Sequence, residues 1–149
     1  MYELITNSTA KISADFTFSE FFYPDYPANF RKQAQPFYLN KSLIKAPQII
    51  RSYFNLPVNI TSCYRPHKSQ AMHFWCMAID LQINFNKKKE DMQFLINSLR
   101  LEFKTDLFFM LRKAGINGFG FRDDHLHLDI RQGMFNDHDE IGPCCLFSE

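Results

Sequence analysis

Two short stretches of the sequence carry side chains of the types that bind metal ions. His73 and Asp80 lie seven positions apart beside a short apolar run, and His127 lies further on in a strand-like segment with carboxylates on both sides. Two imidazoles and one carboxylate form a three-ligand set for a catalytic zinc ion, which leaves its fourth position to water. The sequence therefore predicts a zinc site built from His73, Asp80 and His127.

Charged residues near these three have the chemistry of a hydrolytic site, which needs a carboxylate close to the metal. Asp124, three positions before His127, or its neighbour Asp123 can be the base. On a regular strand Asp123 shares the face of His127, so Asp124 requires the strand to begin after it. Asp129 shares that face as well and can bind the other imidazole nitrogen. Arg65 leaves a predicted strand and can bind a substrate carboxylate or an oxyanion.

Several of these residues also have simpler explanations. His125 shares a strand face with His127 and is the main alternative ligand, while the segment 123–129 is also consistent with a solvated hairpin. His67 and His138 lie in loop-like contexts, where an exposed histidine is the simpler interpretation.

The composition indicates one globular domain and excludes several classes of partner. A chain of 149 residues with 46% hydrophobic and 22% charged residues has room for its own core, and its 17 phenylalanines indicate an aromatic-rich core or an exposed binding face. The net charge of +1 gives no reason to expect nucleic acid as a partner. No apolar run approaches the roughly 20 residues of a transmembrane helix. We therefore expect a monomer without membrane insertion.

The cysteines and the N-terminus both indicate a reducing compartment. Cys63 and Cys76 lie near the predicted site, and Cys144 and Cys145 are adjacent and poorly placed to pair with each other. We expect all four to be free thiols, and the absence of a Cys-x-x-Cys pair argues against a structural zinc site. The first residues lack the basic start and apolar stretch of a secretory signal, so we expect the protein in the cytoplasm of its host.

Hydrophobic periodicity and capping signals predict a mixed series of helices and strands. The predicted helices cover a short turn from Phe18 to before Pro24, then 43–54, 90–103 and 106–113, and the predicted strands cover 58–64, 77–85, 118–121 and 126–130.

The order of these elements favours an α+β fold with a small antiparallel sheet packed against helices, since helices and strands do not alternate strictly. The last two strands are expected to form a hairpin through residues 122–124. We predict one domain over 1–149, with a core at about 16–131 and a polar tail at 132–149.

Three linked motifs follow one another along the chain. They are Ile60-Thr-Ser-Cys-Tyr-Arg-Pro66, then His73-Phe-Trp-Cys-Met-Ala-Ile-Asp80, and last Gly118-Phe-Gly-Phe followed by His127-Leu-Asp-Ile-Arg131. The first is similar to the I-T-S-G-Y-R-S/T segment, the second to the His-x-x-Gly-x-Ala-x-Asp segment and the third to the last conserved segment of the M15 family of zinc peptidases. That family includes D-alanyl-D-alanine carboxypeptidases, phage endolysins and the Hedgehog-like metal domains. Phe16-Thr-Phe-Ser-Glu-Phe is similar to the F-x-x-x-E-F of the small phage and bacterial branch.

The resemblance implies a Hedgehog or D,D-peptidase-like fold and zinc held by His73, Asp80 and His127. It implies Asp124 as the base and Arg65 as a substrate contact. The implied substrate is the peptide part of bacterial peptidoglycan, cut by carboxypeptidase or endopeptidase action. Without a secretory signal, a phage-type lysis or entry enzyme fits best, acting on the wall after release or as part of a virion.

The sequence departs from the family pattern beside the predicted ligands. Cys63 and Cys76 each replace a family glycine, Ala71 replaces a serine, and the loop from Arg65 to His73 is short. The ligands are intact, although cobalt or manganese can also use them. Two other functions are therefore open: a metal-binding, catalytically weak module that recognises cell wall or serves in a virion, and a metal-free interaction domain.

Overall fold

A five-stranded sheet organises the part of the chain that the computed structural model describes, which is residues 2–5, 10–21, 37–63, 73, 76–84, 106–122, 124–131 and 145–148. The strands are β1 (Tyr2–Ile5), β2 (Phe37–Asn40), β3 (Val58–Ser62), β4 (Ala78–Ile83), β5 (Gly118–Phe121), β6 (Leu126–Asp129) and β7 (Cys145–Ser148). The helices are α1 (Lys41–Phe54) and α2 (Asp106–Lys113), with a 3₁₀ helix at Phe18–Phe21.

The sheet has the strand order β3-β4-β6-β5-β7. Its first four strands are antiparallel to their neighbours, and β7 pairs with β5 in parallel. β1 and β2 form a separate antiparallel pair. The prediction of an α+β fold with a small antiparallel sheet is therefore confirmed. The predicted hairpin between β5 and β6 is present as well, closed by a hydrogen bond from the Arg122 amide to the His125 carbonyl at 3.0 Å.

Burial explains which segments became strands. In β3, Val58 and Ile60 are buried while Asn59 between them is exposed, the alternation expected of an edge strand with one face on the core. In β4, the first four residues are all buried, so Asp80 lies inside the protein among apolar neighbours.

Helix α1 begins and ends at asparagines whose backbone suits those positions. The Asn40 side chain accepts a hydrogen bond from the Ser42 amide at 2.8 Å, which caps the helix, and Asn55 has the left-handed φ of 50° that ends it. The helix starts at Lys41, two residues before the predicted start, so Pro47 lies in its interior and not in its first turn.

The capping pattern of Thr17 and Glu20 yields a short 3₁₀ helix. The Glu20 carboxylate accepts hydrogen bonds from the Thr17 amide at 2.6 Å and from its hydroxyl at 3.0 Å. This turn places Phe18 and Phe21 in the core, together with Phe16. In contrast to these buried phenylalanines, Phe109 of α2 has 41% of its surface exposed.

Some predictions concern segments that lie wholly or mostly outside the described residues. The predicted helix at 90–103 and most of the tail at 132–149 lie outside the described residues. The tail was expected to follow the completed fold, yet its residues 145–148 form the edge strand β7. Among the described helices, none has the length and apolar character needed to cross a membrane.

Replacing Asn40 tests whether its side chain stabilises the start of α1. We expect Asn40→Ala to lower the free energy of unfolding by about 1 kcal/mol, because the Ser42 amide loses its acceptor. Asn40→Asp keeps an acceptor oxygen and should remain close to wild type. Urea unfolding of the three proteins measures this, and equal stabilities for Asn40→Ala and wild type would contradict the capping role.

Candidate metal centre

The pairing of β4 with β6 brings the predicted ligands together from distant parts of the chain. The register places Asp80 directly opposite His127. His73, from the connection between β3 and β4, is buried and is bound through its Nδ1 to the Cys63 carbonyl at 2.9 Å.

Three ligand atoms converge at this point. His127 Nδ1 lies 2.8 Å from Asp80 Oδ1, His73 Nε2 lies 3.2 Å from the same oxygen, and the two imidazole nitrogens are 3.3 Å apart. The rings meet edge to face, with their centroids 5.1 Å apart. His73, Asp80 and His127 therefore form a group that could hold a metal ion.

The spacing of these atoms suits a small divalent cation. With bonds of about 2.0–2.2 Å, two ligand atoms of a tetrahedral zinc site lie roughly 3.3–3.6 Å apart. The observed separations of 2.8–3.3 Å need only a few tenths of an ångström of expansion to reach that range.

The outer nitrogens of both imidazoles are occupied, which determines what faces the centre. A carbonyl oxygen only accepts, so His73 Nδ1 carries the hydrogen and a neutral ring presents the lone pair of Nε2 inward. His127 Nε2 faces Asp129 Oδ2 at 3.4 Å, which leaves Nδ1 to face Asp80. A histidine oriented in this way by a carboxylate or a carbonyl is the usual arrangement around bound metals.

The converging acceptors give the centre a strong preference for positive charge. Burial alone would raise the pKa of Asp80, but its contacts with the His127 and His73 imidazoles outweigh it and hold that pKa well below its usual range. Burial would lower the pKa of His127, but Asp129 and Asp80 outweigh it and raise that pKa. A proton or a metal cation is therefore favoured between these side chains.

Asp129 is held in place by Arg131. Its side chain is completely buried, and its carboxylate accepts hydrogen bonds from the Arg131 amide at 3.0 Å and from Arg131 Nε at 2.8 and 2.9 Å. Burial would raise the pKa of Asp129, but the bonds from His127 and Arg131 outweigh it and lower that pKa. The carboxylate is therefore ionised when it faces His127.

Gly118 makes room for that carboxylate. A Cβ at position 118 would lie only 2.3–2.4 Å from the carboxylate atoms of Asp129, far inside any normal contact. The glycine of the predicted strand is thus required by the side chain that packs over it from the neighbouring strand.

Cys63 and Cys76, the cysteines of the first two sequence motifs, lie beside His73. Cys76 adopts a left-handed φ of 53°, a region that glycine enters freely and that costs other residues about 1–2 kcal/mol. Its amide donates to the His73 carbonyl at 3.3 Å. Burial raises the pKa of the Cys76 thiol to about 12 and raises that of Cys63 as well, so both are thiols at neutral pH.

Other predicted site residues lie apart from the three ligands or outside the described chain. Asp124 sits in a bend before β6, as its use as a base required, but its side chain is 71% exposed and bound to His125 Nδ1 at 2.7 Å. His125 is engaged in that contact and is not a member of the metal group. Arg65 and Asp123 lie outside the described residues, so their predicted roles stay predictions.

Sequence reasoning missed two parts of this site. Arg131 follows Asp129 by two positions, so strand alternation was a signal that could have found it. The Cys63 carbonyl that orients His73 is a backbone group, and no residue type signals it. A cavity of about 570 Å³ beside α1, lined by residues such as Ile44, Ile49 and Met110, includes none of the site residues.

Comparisons with protein-family models, with curated proteins and with solved structures find no match for this chain. The assignment of the candidate site therefore rests on its geometry and on the motifs of the sequence.

Adding one methyl group at position 118 should disturb the site through Asp129. We expect Gly118→Ala to weaken zinc binding about 10- to 100-fold, the usual effect of losing a group that orients a ligand. Competition with a chromophoric chelator measures the affinity. Asp129→Ala removes the clashing carboxylate, so adding Gly118→Ala to it should change the affinity little further. Wild-type affinity in Gly118→Ala would contradict the contact.

Metal binding should weaken as the pH falls. The raised pKa of His127 means that its proton, which competes with a metal at Nδ1, is present below that pKa and lost as pH rises through it. In the metal-free protein this proton contributes stability that is full below about pH 6.5 and declines at higher pH. Zinc should therefore raise the melting temperature more at pH 8 than at pH 6. An equal shift at both values would contradict this assignment, and His127→Asn should remove most of the effect.

Proposed function

We propose that the protein is a zinc-dependent peptidase that hydrolyses peptide stems or cross-links of bacterial peptidoglycan. One observation carries the proposal: two imidazole nitrogens and one carboxylate oxygen converge within 2.8–3.3 Å while the outer nitrogen of each imidazole is already engaged. Among the described residues, this group has three members. Structural zinc sites use four protein ligands, whereas catalytic sites use three and keep one position open.

The roles of the chain's own residues follow from their contacts. His73, Asp80 and His127 would hold the ion, and a zinc ion there would supply a Lewis acid that polarises a carbonyl group and activates water. The Cys63 carbonyl and the Asp129 carboxylate keep the two imidazoles in the orientation that presents their inner nitrogens.

Asp124 is proposed as the general base. It lies three positions before His127, in the bend that leads into β6, and its exposed carboxylate accepts a hydrogen bond from the neighbouring His125 imidazole. An exposed carboxylate can exchange such a partner for water or substrate at little cost. Arg65 is proposed to bind the substrate carboxylate or the developing oxyanion, as its place in the first motif indicates.

The substrate class comes from the motifs. Their residues and their order along the chain resemble the M15 peptidases, whose substrates are peptides that contain D-amino acids. We propose a lysis or entry enzyme of the phage type, which acts on the wall after release from the host cytoplasm or as part of a virion. Both carboxypeptidase and endopeptidase action fit this proposal.

The second candidate is a metal-binding module that recognises cell wall with little catalysis. The observation in its favour is the position of Asp124, whose carboxylate is largely exposed to solvent and bound to His125, which is not one of the three ligands. Such a module would use the same ion to bind a peptide carboxylate.

Replacing Asp124 separates the two functions. For a hydrolase we expect Asp124→Ala to reduce peptide release from purified peptidoglycan about 10²- to 10⁴-fold while zinc content stays stoichiometric. Asp106→Ala, which removes another exposed carboxylate at the start of α2, is the matched control and should retain full activity. A chelator should abolish release by the wild-type protein.

The other outcomes decide against the peptidase in different ways. Stoichiometric zinc without release, with peptidoglycan binding unaffected by Asp124→Ala, would favour the recognition module. Absence of zinc binding would contradict the assignment of the three ligands altogether.

A further inference from the structure

We infer that Arg112 and Asn117 are positioning residues for His127, acting through Arg131 and Asp129. The inference rests on the proposed metal site, because it concerns how the protein fixes the least enclosed of the three ligands. It assigns a role to a buried arginine in α2 that belongs to none of the sequence motifs.

The last link of this network is the one already described, from Arg131 to Asp129 to His127. Asp129 can orient His127 only if its own carboxylate is fixed, and Arg131 fixes it through both its amide and its guanidinium. However, Arg131 lies beyond the end of β6 and its side chain is 34% exposed. Burial alone does not immobilise such a residue, so its backbone needs a further restraint.

Asn117 supplies that restraint from the start of the neighbouring strand. Its Nδ2 donates a hydrogen bond to the Arg131 carbonyl at 2.8 Å, and its backbone amide donates to the Asp129 carbonyl, also at 2.8 Å. One residue therefore holds both ends of the Asp129–Arg131 segment, one through its side chain and one through its main chain.

Arg112 in turn fixes the Asn117 side chain. Its Nη1 donates to Asn117 Oδ1 and, at 3.0 Å, to the Ile116 carbonyl. A guanidinium can only donate and a carbonyl can only accept, so these partners determine which end of the Asn117 amide points to each. Arg112 is almost completely buried in the last turn of α2, which gives the network a rigid starting point.

The geometry thus connects the end of α2 to a metal ligand through four successive contacts. Each residue in the series is hydrogen-bonded to the next. A shift of Asn117 therefore moves the Arg131 backbone and with it the Asp129 carboxylate. Because metal affinity depends on the direction of the His127 lone pair, the affinity should report this shift.

The experiment compares zinc affinities of variants that break single links. Asn117→Asp keeps an oxygen for Arg112 but has no donor for the Arg131 carbonyl, and Arg112→Met keeps an unbranched, buried side chain, although a shorter one, that donates nothing. We expect each to weaken zinc binding about 3- to 10-fold, less than the 10- to 100-fold expected of Asp129→Asn. Arg112→Lys should restore part of the loss.

Two controls separate positioning from a general loss of stability. Arg51→Met removes an exposed arginine that pairs with Asp15, and should leave zinc affinity unchanged. The decisive control is a double-mutant cycle: if Asn117 acts through Asp129, Asn117→Asp should have no further effect on affinity in the Asp129→Asn background. Circular dichroism at the temperature of the titration confirms that each variant is folded, and Asn117→Asp carries the test if Arg112→Met does not fold.

The absorption spectrum of the cobalt-substituted protein gives a second readout, because its bands depend on ligand geometry. We expect the bands to change in Asn117→Asp and to remain unchanged in Arg51→Met. The inference would be overturned if Asn117→Asp weakened zinc binding in the Asp129→Asn background by the same factor as in the wild-type background. It would also be overturned if both Asn117→Asp and Arg112→Met bound zinc with wild-type affinity.

A measurement without metal distinguishes failure of this inference from failure of the proposed function. If wild-type protein binds no zinc or cobalt, the proposed function fails, and the solvent exchange of the His127 Nε2 proton, observed by NMR at fixed pH, decides the positioning role. Exchange several-fold faster in Asn117→Asp than in wild type and Arg51→Met would support it. An unchanged exchange rate would overturn it.

Discussion

The contact between Asp80 and His127 is the interaction on which the arrangement of this site depends. Asp80 lies in a strand buried on both faces, where an unpaired carboxylate costs several kcal/mol. The β4–β6 register places the His127 imidazole directly across from it at 2.8 Å, and His73 approaches the same oxygen at 3.2 Å. The contact with His127 exists only while the two strands keep this register, so the pairing of β4 with β6 and the integrity of the site are coupled.

A second layer of contacts controls the direction in which the ligands point. Asp129 holds one imidazole, and the Cys63 carbonyl holds the other. This layer depends on backbone as much as on side chains, because Asp129 fits only over a residue that lacks Cβ, namely Gly118. A glycine in a buried strand weakens packing on its own account. Its presence here is explained by a neighbouring carboxylate that could not otherwise be buried.

The cysteines show how the site accommodates departures from the motif it resembles. Cys76 takes up a left-handed backbone conformation that glycine would adopt without strain, and its amide still closes the turn onto the His73 carbonyl. Its buried side chain, with a thiol pKa of about 12, behaves as a small apolar group at neutral pH. The substitution therefore adds strain and volume beside His73 while leaving its ligand atom in position.

The sequence by itself determined the central strands β3 to β6, the helices α1 and α2 and the identity of the converging residues, because these are recorded in local patterns, whereas β1, β2 and β7 were not predicted. Hydrophobic periodicity located β4, β6, α1 and α2, and residue type marked His73, Asp80 and His127. What only the tertiary structure decided was the relation between strands. Strand order and register are set by packing of the whole sheet, so the sequence could not show that Asp80 faces His127, that Gly118 underlies Asp129, or that Arg112 reaches this network. The exposed direction of Asp124 was equally hidden, because the hydrogen bond to His125 depends on the local bend before β6 and not on strand alternation.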